Sequence, residues 1–156
     1  MCGILGIVDN NQINSEYFFN LLKKIQHRGQ ESFGVSWIEN DIKLRKYRGM
    51  IQDNTVAEFS SNIIIGHNRY STSGKSKKNA CDDQVNKEIQ PFKGNSSCGE
   101  FVLVHNGNIP NYKKLNSEIV NYNSDTEFIV KLIENLNCDN WLSILKHVMN
   151  NINKAY

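Results

Sequence analysis

Apolar residues along the chain fall into short blocks, and their spacing changes from one block to the next. GILGIV at 3–8 is an almost continuous apolar run of a length that suits a buried strand. In SEYFFNLLKKIQ at 15–26, Phe18, Phe19, Leu22 and Ile25 recur at helical spacing behind an Asn14/Ser15 cap. Gly29, in the HRG that follows, suits a left-handed helix stop. FGVSWI at 33–38 and IKLRKYR at 42–48 flank END at 39–41, which predicts a hairpin. IIIGHNR at 63–69 and EFVLVHN at 100–106 read as two further strands. Between them, 71–99 is rich in Ser, Lys, Gly and Asn and reads mostly as a long loop. Pro110 fits the first turn of a short helix near 111–121. SDTE at 124–127 is a capping-box pattern opening a helix with Phe128, Leu132, Ile133 and Leu136 on one face. NWLSILKHVMNNI spaces Leu142, Leu145, Val148, Met149 and Ile152 as a final amphipathic helix.

Strands and helices come in blocks rather than in strict alternation, which predicts an α+β fold. Several strands are apolar on both faces, as in a sheet covered by layers on either side. With no internal repeat and no linker, residues 1–156 are expected to form one domain. A hydrophobic content of 39% with only 2 Pro marks a globular chain. The net charge of +2 is scattered, and KSKK at 75–78 reads as a solvated loop, so no nucleic-acid partner is expected. No apolar run approaches the roughly 18 residues of a membrane span, and the N-terminus carries no secretion signal. A cytoplasmic location without a membrane partner is expected.

Cys2, Cys81, Cys98 and Cys138 form no CxxC pair and no zinc spacing, which predicts free thiols in a reducing compartment. His27, His67 and His105 read as hydrogen-bonded rings at strand or helix ends, and His147 as half exposed on the last helix; neither a metal nor a cofactor is expected. Cys2 alone has a positional argument for reactivity. A thiol with an ordinary pKa near 8.5 needs a base to become a good nucleophile at neutral pH. An α-amine, ordinarily near 8, is partly neutral there. Once Met1 is removed, Cys2 carries a thiol and that base on one residue.

Further stretches change the weight of this observation. They are QHRGQES at 26–32, GHNRYSTSG at 66–74, IQPF at 89–92, HNGNI at 105–109 and SDTE at 124–127. With the MCGILGI opening, their order and spacing resemble the glutaminase domain of class II glutamine amidotransferases. Gln30 after Arg28-Gly29, and Tyr70 after Arg69, resemble the subgroup that serves purine synthesis more than the one that makes glucosamine phosphate. The resemblance implies an N-terminal-nucleophile hydrolase fold, a four-layer αββα sandwich, and a role for each matching residue. Cys2 would attack the side-chain amide of L-glutamine, releasing ammonia through a γ-glutamyl thioester. Asn106, by its side chain, and Gly107, by its backbone N–H, would form the oxyanion hole. Arg69, with the Thr72 hydroxyl, would hold the α-carboxylate, and Asp125 the α-ammonium. Arg28 and Gly29 would frame the nucleophile. Read singly, Arg69 is a strand-end charge, Asp125 a helix-start acid, and Asn106-Gly107 a hairpin turn.

In that family further strands follow the second C-terminal helix, whereas this chain stops at INKAY. The resemblance therefore implies a partial glutaminase domain with its C-terminal strands missing. It also implies no domain for phosphoribosyl pyrophosphate, so that an ammonia-acceptor synthase domain or subunit would be a partner. Two other readings keep the motifs: an inactive truncated or split-gene remnant, and a glutamine-binding module without turnover.

Overall fold

The computed structural model describes residues 1–52, 57–70, 88–109, 112, 122 and 124–152. They fall into two units, Met1–Pro91 and Phe92–Tyr156.

In the first unit, strand β1 (Gly3–Asn14) runs into helix α1 (Ser15–Lys24), a 3₁₀ turn (Gln26–Arg28) and strands β2 (Ser32–Glu39), β3 (Asp41–Arg48) and β4 (Ser60–Arg69). The sheet order is β1-β4-β2-β3, with every pair antiparallel. The β2–β3 hairpin turns where END predicts it, at Asn40 with φ 64°. Helix α1 starts because the Asn14 side chain accepts from the Tyr17 N–H at 2.8 Å. Lys23 and Lys24 complement its C-terminal end. Phe18, Phe19 and Leu22 bury one face of the helix against Phe33, Val35, Trp37 and Ile64, flanked by Leu5 and Ile7. Full burial of a side chain such as Phe18 or Leu22 contributes about 1.5–3 kcal/mol. A Cβ on Gly66 would lie 2.9 Å from the Phe18 ring, so the missing side chain sets how closely helix and sheet approach. Strand β2 is buried on both faces over Ser32–Trp37, whereas Ile4 and Val8 of β1 are exposed.

In the second unit, strands β5 (Phe92–Ser96) and β6 (Gly99–Leu103) form an antiparallel hairpin, followed by helices α2 (Asp125–Glu134) and α3 (Trp141–Asn151). Gly99 has φ 108°, a conformation that favours glycine. Ile129, Val130 and Ile133 of α2 join Phe101, Ile109, Ile144 and Val148 in one core. Glu134 fastens α2 to the hairpin, accepting from the Asn95 N–H at 3.1 Å and from Lys131 at 2.6 Å. Burial pushes the Glu134 carboxyl up, but these bonds outweigh it and leave the group below its usual range. The expected N-cap is present: Ser124 Oγ accepts from the Glu127 N–H at 3.1 Å, the serine half of a capping box. Ser124→Ala should lower stability by about 1 kcal/mol, read as a fall in the urea midpoint at constant slope. An unchanged midpoint would mean that the bond contributes nothing.

Several expectations need correction. Strand β1 continues six residues past Val8, with a register shift between Val8 and Ile13; DNNQ is polar because that stretch is exposed. Helix α1 ends at Lys24, and Gly29 is extended at φ −162°, not left-handed. Strand β5 lies in the stretch read as loop, because FKGNS has one large apolar side chain and no alternation to reveal it. Strand β6 stops at Leu103 rather than at 106. The helix expected near 111–121 lies outside the described residues apart from Tyr112.

Candidate active site

Cys2 stands one residue ahead of β1. The antiparallel register sets Gly3 opposite Asn68, so Cys2 comes level with the end of β4, where Arg69 and Tyr70 lie. The Tyr70 N–H donates to Cys2 Sγ at 3.5 Å, and Sγ is 3.9 Å from the Tyr70 carbonyl oxygen. Arg28 reaches the same point from the 3₁₀ turn, its Nε donating to the Cys2 carbonyl at 3.1 Å. Its Nη2 lies 3.7 Å from Met1 Sδ. Met1 is 72% exposed, so the residue that must leave to free the Cys2 amine takes no part in the core.

Gly29 holds this arrangement together by having no side chain. A Cβ there would sit 2.5 Å from the Asn68 oxygen and 2.6 Å from the Arg69 carbonyl carbon. The Arg28-Gly29 backbone is thus pressed flat on the end of β4. Asn68, fully buried, donates from Nδ2 to the Leu22 carbonyl at 2.9 Å and ties the strand to α1. Arg69 Nη1 donates to Glu31 at 2.8 Å, and Nη2 to Glu88. Among the expected site residues of the first unit, Cys2, Arg28, Gly29 and Arg69 are therefore brought to one end of the β1–β4 pair. Thr72 lies outside the described residues.

The second unit gathers the others. Asn106 and Gly107 lie exposed beyond β6, and Ile109, two residues on, is fully buried. The Ile109 N–H donates to Asp125 Oδ2 at 3.1 Å. His105 shares a hydrogen bond of 3.3 Å with Thr126 Oγ1, and its Nδ1 is 3.9 Å from Asp125 Oδ1. Two side chains from the first turn of α2 therefore pin the HNGNI segment on either side of Asn106-Gly107. His27 Nδ1 donates to the Lys24 carbonyl at 3.2 Å. His27 and His105 are thus both hydrogen-bonded rings at element ends. Among the described residues no cysteine forms a disulfide, and no group of three or more His, Cys, Asp or Glu could hold a metal. No helix among them is long and apolar enough to cross a membrane.

Sequence reasoning passed over Tyr70 as a backbone donor, and over Glu31 and Glu88 as partners of Arg69. Glu31 stands inside the QHRGQES motif and Glu88 immediately before IQPF, but no periodicity connects either to Arg69.

Residues 76–153 match the glutamine amidotransferase domain family, to which this chain belongs. Its relatives include the amidophosphoribosyltransferases of Pasteurella multocida, 36% identical over 148 residues, and Archaeoglobus fulgidus, 34% identical over 144. These alignments cover 86% and 85% of this chain but only 27% and 30% of the relatives. The chain thus spans less than a third of their length. A glutamine–fructose-6-phosphate aminotransferase of Sulfolobus acidocaldarius is 31% identical, with 86% of this chain and 23% of the relative covered. Among solved structures, the glutamine phosphoribosylpyrophosphate amidotransferase of B. subtilis superposes with a TM-score of 0.73 at 23% identity. That match covers 99% of this chain and 33% of the other. The α+β, N-terminal-nucleophile type fold expected from the sequence is the one the chain adopts.

Proposed function

We propose that this chain hydrolyses the side-chain amide of L-glutamine through Cys2. After removal of Met1, the new α-amine takes the thiol proton, and the sulfur attacks the amide carbon. The Cys2 α-ammonium passes that proton to the amide nitrogen, and the tetrahedral intermediate collapses with departure of ammonia, leaving a γ-glutamyl thioester. Water then cleaves that thioester to glutamate and restores the thiol. Asn106 and the Gly107 N–H stabilise the oxyanion, Arg69 with Thr72 receives the α-carboxylate, and Asp125 receives the α-ammonium. Arg28 and Gly29 keep the terminus in place. The single observation that supports this reading most is the pinning of Cys2: Tyr70 N–H at the sulfur and Arg28 at the carbonyl, with Arg69 on the neighbouring strand.

Ammonia made this way passes to a synthase domain or subunit. The relatives' names point to a phosphoribosyl acceptor and hence to purine synthesis. The test is intact-mass analysis of the native protein before and after a glutamine-analogue electrophile. Met1 should be absent, and one equivalent of label should sit on Cys2, with excess glutamine blocking it. Retained Met1, or label spread over Cys81, Cys98 and Cys138, would remove the proposal.

A further inference from the structure

Arg69 is already engaged by carboxylates of its own chain. Glu31 holds Nη1 and Glu88 holds Nη2, so two negative groups face one guanidinium and the cluster carries a net charge of −1. The Arg69 side chain is only 16% exposed, whereas those of Glu31 and Glu88 are 36% and 42% exposed. A third carboxylate, from an amino-acid ligand, would meet like charge within a few ångströms unless one of the two moves away. The two glutamates differ in how they are held. Glu31 is fixed by its backbone: its N–H donates to the Arg69 carbonyl at 3.2 Å, and its carbonyl accepts from the Gly49 N–H at 2.8 Å. Glu88 meets Arg69 through its carboxylate, the more exposed of the two, and leaves by side-chain rotation without breaking any backbone bond to Arg69.

We propose that Glu88 is a built-in competitor for the α-carboxylate at Arg69. It occupies one edge of the guanidinium and must swing out before glutamine seats, while Glu31 keeps Arg69 aimed throughout. This rests on the reading of Arg69 as the α-carboxylate receptor. Partly exposed ion pairs shift equilibria by up to about fivefold, which bounds the effect. Glu88 therefore sets the affinity of the site for ligands that carry an α-carboxylate, and for those alone.

The experiment is calorimetric titration of the full chain in a Cys2→Ala background, with and without Glu88→Gln. The Kd for L-glutamine should fall about three- to fivefold in the Glu88→Gln protein. The Kd for 4-aminobutanamide, which is glutamine without its α-carboxylate, should be the same in both. Glu31→Gln should weaken glutamine binding, because it loosens Arg69 rather than vacating it. An unchanged or raised Kd for glutamine in Glu88→Gln overturns the inference, as does an equal gain for 4-aminobutanamide. Glu88→Ser serves as a second variant should the first fail to fold. Absence of glutamine binding in every form, Cys2→Ala alone included, would instead remove the underlying reading of the site, and the inference with it.

Discussion

Cys2→Ser should lower ammonia release from glutamine at least about 10³-fold while leaving the protein folded, since removal of a covalent nucleophile is among the costliest single changes in an enzyme. The two side chains differ by one atom, and the smaller hydroxyl fits without a clash among the neighbours of Sγ, a backbone N–H at 3.5 Å and a carbonyl oxygen at 3.9 Å. What changes is acidity. A hydroxyl holds its proton far more tightly than a thiol, so the same α-amine produces a much poorer nucleophile from it in this site. An ammonia-coupled assay with both proteins at equal concentration, and circular dichroism to show matching folds, reads the result. Residual activity above a tenth of wild type would show that another group attacks the amide.

The second large effect concerns a residue with no chemistry of its own. Gly29→Ala should destabilise the first unit by about 3 kcal/mol or more, at the upper end of overpacking, because the atoms in the way are main chain of β4 rather than movable side-chain ends. Its φ of −162° suits any residue, so the penalty is one of space and not of backbone strain. Urea unfolding followed by tryptophan fluorescence in a Trp141→Phe background monitors this unit through Trp37, which is buried in its core. Near-wild-type stability would mean that the Arg28-Gly29 turn lifts off the strand without cost. Should the variant fold, Cys2 labelling should slow, since Arg28 would be carried away from the Cys2 carbonyl.

Much of the fold can be read in advance because its signals are local. Phe18, Phe19 and Leu22 declare the buried face of α1, SDTE declares its own cap, and END between two β-rich runs declares a hairpin. Strand β5 was hidden because FKGNS is defined by its partner, Phe92 facing Leu103 and Ser96 facing Gly99, and not by its own pattern. Gly29 misled for a related reason. A glycine after a helix reads as a left-handed stop, whereas the need here comes from β4, about forty positions along the chain. The candidate residues were legible only through the order of several motifs, since each alone has an ordinary structural reading. The partners of Arg69 were not legible at all. Glu31 and Glu88 reach it over separations of 38 and 19 residues, and no spacing rule connects charges across a sheet edge.

The pairing of β1 with β4 bears on what a ligand has to do on arrival. A chain terminus ordinarily samples many backbone conformations, and fixing one residue costs roughly 1–2 kcal/mol of conformational entropy. Here the hydrogen-bonded ladder from Gly3 onward restrains Cys2 while the protein folds. That ordering cost therefore falls on folding and is subtracted once from stability, leaving Cys2 preorganised for the proposed attack.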